Sequence, residues 1–166
     1  MRRVLKIYCD YFQSWLVPLR SAVYPARWFY PSTARYRFRK HYYPLPGELK
    51  EDIAAEETAC AIEVDRLEEV RRWVRNLERQ PDASFWLPTS TDRFYPDFIA
   101  ELDDGRLFAV EYKGSDRYSN DDSREKRDIG AVWAAASDGR CVFAMVTDAA
   151  EAGVSVQAQL RQALKR

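Results

Sequence analysis

The chain has 166 residues, 46% of them hydrophobic and 14% aromatic, which is enough for one domain with a real core and too apolar for a mostly disordered protein. Its 26 basic and 26 acidic side chains leave a formal net charge of zero, so no global basic field exists and any nucleic-acid contact has to come from local patches. No apolar run reaches the roughly 18 residues of a membrane span, and Lys6, Asp10 and Gln13 break the stretch behind Met1-Arg2-Arg3 that a signal peptide needs. The expectation is a soluble, cytoplasmic protein with no membrane partner. Cys9, Cys60 and Cys141 are widely spaced, no CxxC occurs and His41 is the sole histidine, so buried free thiols fit better than disulfides or a Cys/His metal cluster.

Residues 1–47 are rich in aromatics, arginine and proline and lack a clean period. Within them Tyr36-Arg37-Phe38-Arg39-Lys40 alternates rings with cations, which makes Arg37, Arg39 and Lys40 candidate DNA contacts. The density of proline and tyrosine favours an ordered segment covering the core, with the arginines solvated. His41 reads as an ordinary packed or exposed histidine rather than a phosphate contact. Residues 48–166 form the main domain. A helix is expected from Gly47 or Glu48 to near Asp65, with Ile53, Ala54, Glu57, Ala61 and Val64 at helical intervals and Glu57 therefore among inward-pointing positions. Val70 to Leu77 suits either a charged helix or a strand. As a strand it sets Val70, Arg72 and Val74 against Arg71, Trp73 and Arg75. Phe85-Trp86-Leu87 begins an extended segment leading into Phe94.

Phe94 to Leu102 and Leu107 to Tyr112 read as two strands around the turn signal Asp103-Asp104-Gly105-Arg106. A two-residue Asp104-Gly105 turn would set Asp97 against Tyr112 and throw Glu111 to the opposite face. A three-residue loop with Gly105 in the left-handed region pairs Leu102 with Arg106 and brings Asp97 directly opposite Glu111. That register also places Phe98, Ala100, Phe108 and Val110 on one face, and Asp97, Ile99, Ala109, Glu111 and Lys113 on the other. It is the register expected here. Carboxylates so placed lie about 5 Å apart at Cβ and repel by about 3 kcal/mol at an effective dielectric near 20. A divalent cation would reverse that sign, and Lys113, about 6.6 Å further along the strand, can sit beside it. The bland alternative is a charge-decorated edge strand.

Gly114 to Asp121 reads as a polar loop, and Asp122-Ser123-Arg124-Glu125 as a capping box opening a helix with Ile129, Val132, Trp133 and Ala136 as its buried stripe. Asp138-Gly139 ends it. Lys126 borders the stripe in the first turn and is a candidate phosphate contact, with Arg124 and Arg127 as candidates for the DNA backbone; a solvated helix face accounts for each equally well. Cys141 to Thr147 reads as a strand buried on both sides. Val154 to Arg166 reads as a closing helix with Val156, Leu160, Ala163 and Leu164 inward.

The run FYPDFIAELDDGRLFAVEYKG resembles the PD-(D/E)xK nuclease superfamily. The longer stretch from WVRNLERQPDASFWLPTSTDRFYPDF through EYKG to DDSREKRDIGAVWAAAS, with YRFRKHYYPLPGEL ahead of it, is similar to the nuclease domain at the C-terminal end of type III restriction subunits and related helicase-nucleases. The resemblance spans roughly Tyr36 to Thr147. It implies an α/β, restriction-endonuclease-like core of helix, three strands, helix and strand, a central mixed sheet flanked by helices, with Val70 to Leu77 as the first strand. It implies Mg²⁺ as cofactor, with Mn²⁺ as substitute, held by Asp97 and Glu111 with the Tyr112 carbonyl as a candidate third ligand. Lys113 then orients or activates the attacking water. Glu57 is the candidate for the first-helix glutamate that assists the metal in this superfamily, with Glu56 and Glu63 competing and an N-terminal dipole partner as the simpler reading.

Such relatives carry a helicase motor, whereas this chain has no G-x-x-x-x-G-K-[ST] phosphate loop. It is expected to be a free-standing nuclease, the partner of a separate helicase or translocase subunit, or the remnant of a truncated gene, with a homodimer as one route to cutting both strands. The leading expectation is a Mg²⁺-dependent endodeoxyribonuclease in a restriction or helicase-nuclease context. The rival is a catalytically silent nucleic-acid-binding or assembly module that kept the fold.

Overall fold

Alternating apolar residues make strands here, and a four-stranded sheet is the frame that positions Asp97, Glu111 and Lys113. The structure is a computed structural model that describes residues 37–43, 55–80, 84–115, 118 and 120–165. In chain order the elements are α1 (Ala55–Arg66), β1 (Val70–Arg75), β2 (Leu87–Pro88), β3 (Arg93–Phe94), β4 (Phe98–Leu102), β5 (Leu107–Tyr112), α2 (Asp121–Ala135), β6 (Cys141–Val146), α3 (Ala149–Ala152) and α4 (Val156–Leu164). The central sheet has the order β1-β4-β5-β6. β1, β4 and β5 run antiparallel in turn, and β5 pairs with β6 in parallel. The protein is therefore α/β with a mixed central sheet and flanking helices. β2 and β3 form a separate small hairpin. Among the described residues no helix is long and apolar enough to cross a membrane.

The β4–β5 hairpin has the three-residue register. Phe98 pairs with Val110 and Ala100 with Phe108, Leu102 N–H donates to Arg106 O at 2.9 Å, Gly105 N–H donates to Leu102 O at 3.0 Å, and Gly105 has φ 85°. Period-two alternation then splits the core in two. Phe98, Ala100, Phe108 and Val110 pack with Cys60, Ala61, Val64 and Leu160 beneath α1 and α4, while Ile99 and Ala109 pack with Trp133, Phe94 and Cys141 beneath α2. Cys60 and Cys141 are both buried, and Cys60 is a free thiol.

Three local expectations are corrected. Strict alternation fails in β1, because a bulge shifts the register between Val70 and Arg72; Val70 and Trp73 enter one core, Val74 enters the other, and Arg71 and Arg72 both face out toward Glu101. The cap of α2 is Asn120, whose side chain accepts from Ser123 N–H at 2.8 Å, so Asp122 lies inside the first turn rather than capping it. Val132 is 38% exposed, and the buried side of α2 runs through Ser123, Gly130 and Trp133 instead, because packing on Phe143 rotates the helix toward its glycine. In α4, Leu160 and Leu164 are buried with Val156 and Ala163 packed against them, as expected.

Of residues 1–47, those numbered 37–43 are described; the expected helix start at Gly47 or Glu48, with Ile53 and Ala54, lies outside the described residues. Residues 40–42 run along the free side of β1. Tyr42 N–H donates to Trp73 O, Trp73 N–H donates to Lys40 O, and the Asp65 carboxylate ties the segment down by accepting from Arg39 N–H, Lys40 N–H and Trp73 Nε1–H.

At Gly130 α2 lies close against β6: a Cβ built there would lie 2.3 Å from the Phe143 ring. Gly130→Ala should therefore destabilise the protein by about 1–3 kcal/mol through overpacking, although alanine alone would favour the helix by about 1 kcal/mol. A lowered urea midpoint, partly restored by adding Phe143→Leu, is the expected result.

Candidate active site

The hairpin register sets Asp97 one step beyond the Phe98–Val110 pair, opposite Glu111 at the end of β5. Glu57 comes in from the first turns of α1, Arg75 from the end of β1, and Lys113 from just past β5. Four sequence candidates, Asp97, Glu111, Lys113 and Glu57, thus converge on one end of the sheet. Arg75 joins them, and sequence reading assigned it no role.

Each carboxylate is held by a named neighbour. Asp97 Oδ1 accepts from Arg75 Nη1 at 2.9 Å, and its Oδ2 accepts from Tyr112 N–H at 2.7 Å. The same Arg75 reaches the Asp97 carbonyl at 2.8 Å and Glu57 Oε1 at 3.0 Å, so one guanidinium clamps α1 to the start of β4. Its side chain is 14% exposed. Glu111 is 3% exposed; its Oε1 lies 2.7 Å from Lys113 Nζ, while its Oε2 is buried and has no hydrogen-bond partner. Because the N–H and C=O of an extended residue point to the same neighbouring strand, the Tyr112 carbonyl lies on the Asp97 side. Tyr112 OH itself donates to Glu56 Oε2, which takes Glu56 away from the cluster.

These contacts shift all four groups the same way, so that acids and bases alike hold their protons more tightly than usual. Burial pushes Glu57 up to about 7, with the neighbouring Asp97 adding to the rise and Arg75 opposing it. Burial also holds Glu111 well above the usual carboxylate range, reinforced by the charge of Asp97 and opposed by Lys113 and Lys126. For Lys113 burial pulls downward, but Glu111 and then Asp97 outweigh it, so the ammonium is held above its ordinary value. Arg75 is raised in the same way by Asp97 and Glu57 against its own burial. The site is a buried cluster of like-charged acids made tolerable by two basic side chains.

Magnesium asks for little from a protein, one or two carboxylates plus waters and substrate phosphate oxygens. Asp97, Glu111 with its unpartnered Oε2, and the Tyr112 carbonyl are the groups that could hold such an ion. Among the described residues no group of three His, Cys, Asp or Glu side chains forms a ready cage.

The expected DNA contacts are scattered. Lys126 is near enough for its charge to be felt at Glu111; its Nζ pairs with Asp122 at 2.6 Å and sits over the Phe94 ring. Arg124 pairs with Asp121 on the surface at 3.4 Å. Arg127 turns to the outer side of β6, where it donates to Tyr118 O and stacks on that ring. Arg37 is exposed, while Arg39 and Lys40 are fixed by Asp65, eight residues and about 12 Å along α1 from Glu57. His41 is packed: burial holds its pKa down, Nε2 accepts from Arg75 N–H at 3.1 Å, and Nδ1 lies 2.8 Å from Tyr43 O and 3.2 Å from Tyr43 N. The one signal for Arg75 in the sequence was a basic residue at the end of an apolar strand, too common to single out.

Comparisons with protein-family models, with curated proteins and with solved structures give no match to this chain.

Two outcomes follow from the charge balance. Glu57 binds its proton more tightly folded than unfolded, so its contribution to stability is complete below about 4.5 and is lost as the pH rises through about 7. Urea denaturation across that range should show a fall in unfolding free energy that flattens in Glu57→Gln. Arg75→Leu should cost about 3–5 kcal/mol, because it strands buried carboxylates without a counter-charge, and its cost should be larger at pH 8 than at pH 5, where Glu57 is protonated.

Proposed function

We propose that this chain is a metal-dependent endodeoxyribonuclease with a restriction-endonuclease-like core of the PD-(D/E)xK type. The observation that carries the reading is the buried Glu111 carboxylate, opposite Asp97 and beside Lys113, with one oxygen left without a partner. A polar atom in that state costs about 1–3 kcal/mol unless something completes it, and a cation shared with Asp97 does so.

Asp97 and Glu111 would hold Mg²⁺ or Mn²⁺, with the Tyr112 carbonyl beside them and Glu57 within reach through its contact with Asp97. When bound, the ion supplies Lewis acidity and a lowered pKa for a coordinated water. The rest falls to the chain. Lys113 keeps its positive charge and three donors next to Glu111, where it orients the attacking water and offsets negative charge that develops on the phosphate. Arg75 fixes the Asp97 carboxylate and so removes reorganisation from the reacting geometry. Lys126, in the second turn of α2, extends the positive edge toward a phosphate. The substrate is DNA, in a restriction or helicase-nuclease setting where a separate motor subunit provides any translocation.

One observation favours a second reading. Arg75 and Lys113 already answer the charges of Asp97, Glu57 and Glu111, so the cluster is a stable ion-pair network as it stands. A catalytically silent nucleic-acid-binding or assembly module would use it in that way.

A plasmid-nicking assay separates the two. Cleavage is expected with Mg²⁺ or Mn²⁺, none in EDTA, and a loss of at least about 10²-fold in Asp97→Ala and in Lys113→Ala. Metal-independent DNA binding without cleavage supports the silent module, and activity indifferent to both substitutions overturns the site.

A further inference from the structure

The two outer strands of the central sheet are finished differently. On β1 the outward groups of Trp73 pair with residues 40–42, and Arg75 N–H is taken by His41. On β6 the even-numbered residues face β5, as the Leu107 N–H to Arg140 O and Lys113 N–H to Val146 O bonds show, so Cys141, Phe143, Met145 and Thr147 face outward. The two ends of that row are satisfied by side chains. Ser137 Oγ accepts from Cys141 N–H at 2.9 Å, and the Gln159 amide imitates a strand residue, accepting from Thr147 N–H at 3.1 Å and donating to Thr147 O at 2.8 Å. Between these caps the N–H and C=O of Phe143 and of Met145 have no partner among the described residues. They open into a groove of about 640 Å³ that runs along β6 between α2 and α4 and is lined by none of Glu57, Asp97, Glu111 or Lys113.

Two donors and two acceptors, centred on Ala144, form a self-complementary set. Antiparallel residues that pair directly exchange both bonds, so Phe143 of one copy against Met145 of another, and the reverse, would satisfy all four. The next pair out in that register is Cys141 with Thr147, the two positions already capped. The groove wall agrees. Gly130 lies against the Phe143 ring and Arg127 Nη2 lies 3.7 Å from Met145 Sδ, so α2 crosses the level of Ala144 near Asp128. Asp128 is exposed and has no ion pair among the described residues, and Arg127, whose Nη2 donates to Tyr118 O and whose guanidinium stacks on that ring, meets no carboxylate among them either. A two-fold axis there sets Arg127 of each copy beside Asp128 of the other. Around them the exposed face of α2 is small and apolar, Ala131, Val132 and Ala135, which lets a second α2 approach closely. The zero net charge of the chain opposes no self-association.

We propose that the open middle of β6 is a docking edge for a second copy of this chain, whose β6 runs antiparallel across a two-fold axis at Ala144, with Arg127 and Asp128 paired between copies. The occupant is another identical chain rather than a foreign strand, because the unpaired groups match themselves and stop where the caps begin.

Sedimentation velocity of the full chain over a wide concentration range tests this. A concentration-dependent dimer is expected. Met145→Pro removes an outward N–H without touching the β5 ladder, as an edge position allows, and should leave a monomer. Asp128→Arg and Arg127→Asp should each raise the dimer dissociation constant by about tenfold or more through like-charge contact, and mixing these two variants should restore a mixed dimer. That rescue carries the test even if Met145→Pro fails to fold. A chain that stays monomeric at every concentration overturns the proposal, and so does a dimer indifferent to all three substitutions. Slow hydrogen exchange of the Phe143 and Met145 amides in a monomer also overturns it, since another segment of the same chain then covers the edge. None of these readouts depends on nuclease activity.

Discussion

The turn between β4 and β5 closes in three residues because Gly105 adopts a left-handed backbone that other residues rarely enter. Everything at the candidate site depends on that register. A slip of one residue would send Glu111 to the opposite face from Asp97, and would also expose Phe98 and Val110, which are fully buried beneath α1 and α4. Burial of the apolar face therefore enforces the juxtaposition of two acids that would otherwise repel. The fold supplies the energy, and the site accepts the cost.

That cost is managed by charge rather than by solvent. Three carboxylates, Glu57, Asp97 and Glu111, share one end of the sheet with Arg75 and Lys113, and Lys126 acts from the edge. Arg75 suits its place because a planar, permanently charged fork reaches two carboxylates and a backbone carbonyl from a single position, which a lysine ammonium cannot do with the same geometry. Even so, the balance is incomplete at Glu111 Oε2 and at Arg75 Nε, both buried without partners. Two unpartnered polar atoms thus fall within one charged cluster, which is the feature the nuclease proposal rests on.

The sheet edges carry a related contrast. Residues 40–42 and His41 finish the β1 side, anchored through the buried Asp65. Side-chain caps finish only the ends of the β6 side. An edge strand is a hazard unless blunted or used, and no charged or proline residue blunts the middle of β6, whose sequence is Cys-Val-Phe-Ala-Met-Val.

Local chemistry was legible in the chain. The strands β4, β5 and β6, the three-residue turn, the helix after the site and the closing helix follow from apolar periodicity and from Gly105, all short-range signals. So did the meeting of Asp97 with Glu111, because a hairpin converts loop length directly into cross-strand neighbours. What sequence could not settle was any feature set by contacts distant along the chain. The bulge in β1 arises where that strand must fit β4 and the two cores at once, the exposure of Val132 follows from Gly130 seating on Phe143, and Arg75 gains its role only when β1 lies beside both α1 and Asp97. Periodicity reports which residues share a face, whereas the identity of the neighbour across that face depends on how whole elements pack, and packing exists only in the tertiary structure.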